Sequence, residues 1–242
     1  MIYDPQFYNP VVKKLSSISL AQIWTTIGFC LLEILLLVVA FASGADALFA
    51  VAGVLGFFFL IAILVLFILY IIRLYGFKNI LQGKDRSSVN LMITSIWINL
   101  ACSLLSIIGT IITFSNSNGL YAYMYTGDIT ALFSGGGIAV SILASLGSIA
   151  AFVINLVGLA GLKNSKTIYI DTATGFGRIF WASIILIISI VVYFLFGILA
   201  VATGVSAIAA VGSLLVLGGA ICALVLNISG WVKVGSQFPI YR

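Results

Sequence analysis

Six long apolar stretches separated by short polar connections constrain the fold of this chain more than any other feature. We place them at residues 19–43, 47–75, 91–114, 136–161, 179–203 and 206–231. Each is long enough to cross a lipid bilayer, which takes about 20 apolar residues. Inside a bilayer the backbone has no water to bond, so a spanning segment must be helical or belong to a closed barrel. The sequence therefore predicts an all-α, polytopic membrane protein with six transmembrane helices.

Composition agrees with this class. Of the 242 residues 63% are hydrophobic and only 7% are charged, and the mean hydropathy is +1.29. A soluble domain carries about 25% charged residues. The first stretch follows a polar and aromatic segment, residues 1–18, and it is longer than the ~7–15 apolar residues of a signal peptide. We therefore expect it to be retained as a helix.

The connections between stretches predict three helical hairpins in series. The turns SGADA and TGVS are too short to allow anything but antiparallel neighbours for the first two and the last two stretches. The hairpins occupy residues 19–76, 91–161 and 179–231, and the middle one contains an extracytoplasmic loop, 115–135. Residues 1–18 form an N-terminal interfacial segment, and residues 232–242 form a tail.

Each predicted hairpin opens with a tryptophan and closes with a glycine that a lysine soon follows. These residues are Trp24 and Gly76, Trp97 and Gly161, and Trp181 and Gly230. The pattern favours a threefold internal repeat related by an axis along the membrane normal. The alternative is that tryptophan belts and glycine caps mark the interface of any helical bundle.

The basic residues predict the orientation of the chain. All 11 lysines and arginines lie near the N-terminus, around the connections after the second and fourth stretches, or after the sixth stretch. Because cytoplasmic loops carry the excess of Lys and Arg, we expect both termini to be cytoplasmic, in a plasma or inner membrane. The net charge of +5 is spread along the chain and forms no patch that would follow phosphates, so no nucleic-acid partner is expected.

Glu33 is the most unusual residue, because it lies near mid-bilayer in GFCLLEILLLVVAF. Gln22, Thr26, Cys30 and Glu33 recur at steps of three and four and so share one helical stripe. A second polar stripe follows the third stretch. Polar groups in lipid are costly, so both stripes should face protein or trapped water. The candidate intramembrane polar cluster comprises Glu33, Gln22, Thr26, Asn99, Ser106, Ser145, Ser148 and Ser213.

No cation is predicted to reach Glu33. Arg73 lies close to the basic end of its helix and reaches the interface more easily. We therefore expect Glu33 to be a neutral carboxylic acid that forms hydrogen bonds. Helices 1, 3, 4 and 6 carry the polar stripes or small-residue ridges and should make the inner contacts, whereas helices 2 and 5 should mostly face lipid.

The loop between the third and fourth stretches carries alternating tyrosines. Tyr121, Tyr123 and Tyr125, with Asp128 nearby, form a candidate extracytoplasmic surface for a partner, since tyrosine is favoured at recognition surfaces. The alternative is an aromatic belt at the level of the lipid headgroups.

Catalytic motifs are missing from the sequence. The chain has no histidine, and its three cysteines fall inside apolar stretches, where they are expected to be reduced and buried. GLAGLKNS lacks the spacing of a P-loop, and GFGRIF lacks a third glycine and a preceding strand. We expect no enzyme activity, no cofactor and no metal site.

Two functions remain open from the sequence. The first is a non-enzymatic membrane protein that acts in assembly or partner binding, as a subunit of a membrane complex, an immunity-type protein or a homo-oligomer in contact with the lipid bilayer. The second is a small channel or proton-coupled transporter in which Glu33 is the titrating group.

Overall fold

The computed structural model describes residues 4–43, 46–115 and 137–236, and nearly all of these residues are helical. The helices are α1 (Pro5–Ser43), α2 (Asp46–Ile80), α3 (Gly83–Ser115), α4 (Gly137–Lys163), α5 (Ile170–Thr203) and α6 (Ser206–Gly235). All six are long and apolar enough to cross a membrane. For the described residues this confirms the prediction of an all-helical chain with six helices able to span a membrane.

At the ends away from the basic residues, the helix bounds agree closely with the predicted spans. α1 ends at Ser43 and α5 ends at Thr203, as predicted, and α6 begins at Ser206. Gly204 ends α5 in a left-handed conformation, with φ 68° and ψ 10°. Glycine adopts this conformation without the steric cost of a Cβ atom, so it permits the tight turn into α6.

At their opposite ends, which carry the basic residues, the helices extend further than predicted. We call this side of the helices the basic end. α1 begins at Pro5 instead of residue 19, and α5 begins at Ile170 instead of residue 179. Hydropathy marks where hydrocarbon ends, whereas a helix continues until its backbone bonds are interrupted. Residues 5–18 of the predicted interfacial segment therefore form the first turns of α1.

A cap explains where α1 begins. The Asp4 carboxylate accepts a hydrogen bond of 2.9 Å from the backbone N–H of Gln6. Pro5 takes the first helical position, where a missing N–H costs nothing. The dipeptide Asp4–Pro5 is thus a helix-start signal that the hydropathy pattern did not reveal.

The chain divides into two units. The first contains the residues up to Arg86 and from Ala160 onward, and the second contains Ser87–Leu159. In the first unit α5 packs along α6, and α1 contacts both α2 and α6. The start of α5, before the predicted span, buries Phe176. Within the span 179–203 Ile179, Ala182 and Ser189 are buried, and the other described side chains are exposed or half-buried, in agreement with a helix that mostly faces lipid.

In the second unit, small residues bring α3 and α4 together. A Cβ atom built on Gly109 would lie 2.8 Å from the carbonyl oxygen of Gly137, and one on Gly158 would lie 2.7 Å from the carbonyl oxygen of Ser88. Between these points Gly147 lies against the Cys102 side chain. Such contacts allow the two backbones to approach closely, as is usual where helices associate in lipid.

Most of the large, fully buried side chains of the first unit lie at the basic end. They come from the start of α1, the end of α2, the end of α4, the α4–α5 connection, the start of α5 and the end of α6. We call this group the basal core, and its members are Tyr8, Val12, Leu15, Leu74, Phe77, Leu81, Leu162, Ile168, Phe176, Trp231 and Val234. Apolar side chains farther along the helices are largely exposed, as expected of surfaces that contact lipid.

Candidate functional site

Glu33 lies on α1 opposite Gly56 of α2. A Cβ atom built on Gly56 would lie 3.2 Å from Glu33 Oε1, so the absence of a side chain there leaves room for the carboxyl group. The side chain is half-buried, and within the described residues it forms no hydrogen bond or ion pair. Gly56 was not singled out from the sequence, because one glycine in an apolar helix carries no positional signal.

The other residues of the α1 stripe were predicted to face into the protein, and they are not buried there. Thr26 and Cys30 are exposed, and Gln22 is half-buried. The Thr26 hydroxyl donates a hydrogen bond of 2.9 Å to the Gln22 carbonyl oxygen in the same helix. A hydroxyl that bonds the carbonyl four residues earlier no longer needs a partner from another helix, which removes the physical reason for the inward orientation.

The serines of the predicted cluster behave in the same way. Ser145 donates to the Ser141 carbonyl oxygen at 2.9 Å, and Ser213 donates to the Ala209 carbonyl oxygen at 3.0 Å. Ser106 is exposed and Ser148 is half-buried. Within the first unit, therefore, no hydrogen bond joins Ser213 to Glu33.

Asn99 differs from the hydroxyl residues, because an amide side chain cannot satisfy all its groups within its own helix. It is exposed on α3, and in the described parts of the chain its side-chain amide has no hydrogen-bond partner. Its backbone carbonyl accepts a bond of 2.9 Å from the Ser103 hydroxyl. The candidate surface formed by Tyr121, Tyr123, Tyr125 and Asp128 lies outside the described residues.

A continuous series of aromatic contacts runs through the basal core and ends on two tyrosines outside it, Tyr70 and Tyr169. Tyr70, Trp231, Phe176, Phe77, Tyr8 and Tyr169 follow one another at centroid distances of 6.2, 5.9, 6.0, 6.0 and 5.0 Å. These rings come from α2, α6, α5, α1 and the α4–α5 connection. Each edge-on or offset pair contributes about 0.5–1.5 kcal/mol beyond the area that it buries. The series therefore joins α1, α2, α5, α6 and the α4–α5 connection at the basic end.

Polar contacts reinforce the same region. The Ser16 hydroxyl on α1 donates a hydrogen bond of 2.5 Å to the Trp231 carbonyl oxygen on α6. Lys233 Nζ lies 2.7 Å from Asp171 Oδ1, which joins the end of α6 to the first turn of α5. The Thr167 hydroxyl donates to the Asp85 carboxylate. None of these pairs was predicted, because the partners are far apart in the sequence.

Burial raises the pKa of Tyr169 above its ordinary value of 10.0, and the negative charge of Asp4 raises it further. The Tyr169 hydroxyl is buried and has no hydrogen-bond partner among the described residues. Arg73 Nε is likewise buried without an acceptor in those ranges. The basic end therefore contains polar groups that its own packing leaves unsatisfied.

A cleft of about 490 Å³ opens between the end of α4 and the start of α5, and we call it the Lys163 cleft. Lys163, Ser165, Thr174, Arg178 and Trp181 contribute to its lining. The Lys163 ammonium lies 4.7 Å from the centroid of the Trp181 ring and 4.8 Å from that of Phe180. Both distances are within the range of cation–π attraction.

A second cleft, of about 400 Å³, lies on the other side of Arg178. Trp24, Arg178, Ser229 and Lys233 contribute to its lining. Because Lys233 is paired with Asp171, Arg178 is the cation in this cleft whose charge has no carboxylate partner in the described structure. Both clefts thus place a tryptophan beside basic side chains at the basic end.

Among the described residues no group of three or more His, Cys, Asp or Glu lies close enough to hold a metal ion. Of the three free cysteines, Cys102 is buried as predicted, whereas Cys30 and Cys222 are exposed. An exposed thiol on an apolar helix face remains compatible with lipid, since cysteine behaves as a small hydrophobic residue.

Comparisons with protein-family models, with curated proteins and with solved structures found no match for this chain.

Proposed function

We propose that the chain is a non-enzymatic multi-pass membrane protein that acts by binding other helices within the bilayer. It would serve as a subunit of a membrane complex, as an immunity-type protein or as a homo-oligomer. The observation that carries this proposal is Asn99, an exposed amide on a helix able to span the membrane. An amide that faces hydrocarbon without a hydrogen bond is costly, and a helix from another subunit would relieve that cost.

The hydroxyl residues near Asn99 support the assignment by contrast. Ser103 and Thr110 are exposed on the same helix, but each hydroxyl already bonds a carbonyl oxygen four residues earlier. They are therefore tolerated in lipid without any partner. Asn99 is the polar side chain of this group that gains most from contact with a second protein.

Purification in a mild detergent, followed by mass measurement of the intact complex, tests the proposal. Wild type should carry a second copy or one stoichiometric partner, and Asn99→Leu should lose it. Ser103→Ala is the matched control, because it removes a polar group one turn away whose hydrogen bond is internal. A monomeric wild type, or an Asn99→Leu variant that assembles as wild type does, would contradict the proposal.

A second candidate function rests on Glu33. Its carboxyl group lies in the space left by Gly56 and has no partner in the described ranges, as a proton or cation site requires. In this alternative the chain is a small channel or proton-coupled transporter with Glu33 as the titrating group. Proton flux into liposomes distinguishes the two functions. If wild type conducts protons and Glu33→Gln abolishes the flux, transport is supported. If Glu33→Gln leaves the flux unchanged and Glu33→Leu weakens assembly, helix binding is supported.

We also propose that both termini are cytoplasmic, in a plasma or inner membrane, and that the hairpins form a threefold repeat. The distribution of the 11 basic residues supports the orientation. Trp24, Trp97 and Trp181 support the repeat, since they are exposed to similar degrees, 58%, 49% and 51%. A membrane-impermeant thiol reagent should label Ser117→Cys in intact cells but label Lys166→Cys only after lysis. The reverse pattern would contradict the orientation.

A further inference from the structure

We propose that the Lys163 cleft binds the headgroup of an anionic phospholipid. This inference is independent of the proposed function, because it concerns the basic end of α4 and α5 and not the faces that carry Asn99 or Glu33. It rests on how Lys163 is held, on the absence of a compensating acid in the cleft lining among the described residues, and on the apolar surface that adjoins the cleft.

The Lys163 side chain is held in place on α5. A Cβ atom built on Gly177 would lie 3.4 Å from Lys163 Cγ, so the lysine stem runs directly over this glycine. The ammonium then reaches the faces of Phe180 and Trp181. A lysine whose stem is packed and whose head rests on two rings loses little further freedom when an anion binds.

The positive charge of the cleft is not neutralised from within. Its lining contains Lys163 and Arg178 and, among the described residues, no acidic side chain. Three carboxylates at the basic end have other contacts: Asp171 pairs with Lys233, Asp85 accepts a bond from Thr167, and Asp4 caps α1. Arg178 is exposed and has no ion pair in the described structure. Two uncompensated cations beside one cavity favour an anionic ligand.

The surroundings identify the anion as the phosphate of a lipid. Trp181 is 51% exposed and lies near the start of the predicted span 179–203, where tryptophan marks the level of the headgroups. Ile188, 56% exposed and two turns along α5, continues the same face toward the hydrocarbon. A phosphate in the cleft would therefore leave its acyl chains against an apolar wall. A zwitterionic headgroup would bring its own ammonium near the two cations, so an anionic lipid is favoured.

Native mass spectrometry of the purified protein in a non-ionic detergent tests the proposal by titration with phosphatidylglycerol or phosphatidylcholine. Wild type should bind phosphatidylglycerol at least fivefold more tightly than phosphatidylcholine. Lys163→Met keeps the packed stem and removes the charge, and Arg178→Gln removes the second cation. Each should weaken binding about fivefold, and the pair roughly 25-fold, given the usual contribution of a basic residue near an anionic surface.

Lys166→Met is the matched control. Lys166 is an exposed lysine of the α4–α5 connection, three residues after Lys163, and it does not line the cleft. This substitution should leave the affinity unchanged, and Arg178→Lys, which keeps the positive charge, should weaken binding less than Arg178→Gln does. The helix content of each variant, measured by far-UV circular dichroism, distinguishes loss of binding from loss of folding. Equal affinity for the two lipids would overturn the proposal, and so would a loss of affinity in Lys166→Met as large as that in Lys163→Met. Displacement of the bound lipid by inorganic phosphate as effective as displacement by phosphatidylglycerol would also overturn it.

Discussion

Gly175 of α5 and Gly230 of α6 face each other with their backbones in direct contact. A Cβ atom on Gly175 would lie 2.6 Å from the Gly230 carbonyl oxygen, and one on Gly230 would lie 2.8 Å from the Gly175 carbonyl oxygen. Neither oxygen can move without shifting a whole helix. Gly175 is the first residue of the GFG sequence that resembles a fragment of a nucleotide-binding motif. In the structure it contacts another helix, and its lack of a side chain sets how closely α5 and α6 pack.

Gly175→Ala and Gly230→Ala should each destabilise the protein by about 1–3 kcal/mol, because an added methyl group must push two backbones apart. The thermal midpoint in a mild detergent should fall by roughly 2–4 °C for each kcal/mol in a chain of this length. Gly197→Ala on α5 is the control, since nothing lies within 4 Å of its added Cβ atom. Equal midpoints for the three variants would contradict the close backbone contact.

Two adjacent glycines of α6 provide a sharper comparison. A Cβ atom on Gly219 would overlap the Ser189 side chain, whereas one on Gly218 would meet nothing within 4 Å. Gly219→Ala should therefore destabilise by about 1–3 kcal/mol, and Gly218→Ala should be neutral or stabilise by up to about 1 kcal/mol through helix propensity. Adding Ser189→Ala to Gly219→Ala should restore part of the loss, because the hydroxyl makes the closest contact. The same thermal midpoints measure this, and a lower midpoint for Gly218→Ala than for Gly219→Ala would reverse the assignment.

Ser16 and Ser17 are neighbours on α1 with different partners. The Ser16 hydroxyl is buried and donates to the Trp231 carbonyl oxygen at 2.5 Å, whereas the exposed Ser17 hydroxyl donates to the Lys13 carbonyl oxygen of its own helix. Ser16→Ala should destabilise by about 1–2 kcal/mol, since it leaves a carbonyl oxygen without this donor. Ser17→Ala should change the unfolding free energy by less than about 0.5 kcal/mol. Denaturant unfolding followed by tryptophan fluorescence, which includes the signal of Trp231, measures both variants. A loss as large in Ser17→Ala as in Ser16→Ala would argue against the contact between helices.

Tyr169 makes the stability of the protein depend on alkaline pH. Because the folded state raises the pKa of Tyr169 above 10.0, it holds the phenolic proton more tightly than the unfolded chain does. The contribution to stability is complete below about pH 10 and is lost as the pH rises through the raised pKa. The thermal midpoint of wild type should fall over that range, and Tyr169→Phe should remove this part of the dependence.

Two further measurements test the same residue. Asp4→Asn removes the negative charge that acts on Tyr169, so tyrosinate absorbance should show its ionisation at a lower pH than in wild type. At neutral pH, Tyr169→Phe should be neutral or slightly stabilising, because the hydroxyl that it removes is buried without a partner in the described residues. A midpoint that falls equally with pH in wild type and in Tyr169→Phe would exclude Tyr169 as the source.

The span ends that were predicted well are those set by local chemistry. Ser43, Thr203 and Ser206 adjoin short turns rich in glycine and small polar residues, whose effect is confined to a few positions. At the basic end, α1 continues back to its Asp4 cap through residues too polar for a hydropathy window but compatible with a helix. Apolar pattern alone could not locate that boundary.

The polar stripes show a second limit of sequence reasoning. The spacing of Thr26 and Ser213 placed each on a helix face, but it did not indicate that their hydroxyls bond within their own helices. The contacts that organise the first unit, such as Gly175 with Gly230 and Ser16 with Trp231, join residues far apart in the chain. Such pairs depend on how the helices are arranged, and a single sequence contains no direct signal of them.

The hydrogen bond between Ser16 and Trp231 joins positions 215 residues apart, and this separation has a consequence for biosynthesis. The ribosome completes α1 long before it reaches the end of α6. During that interval Ser16 lacks its acceptor on Trp231, and the residues Tyr8, Val12 and Leu15 lack the later elements of the basal core. Their apolar side chains stay unburied for longer than contacts within one hairpin would require. The basal core can therefore close only after the last turns of α6 have been synthesised.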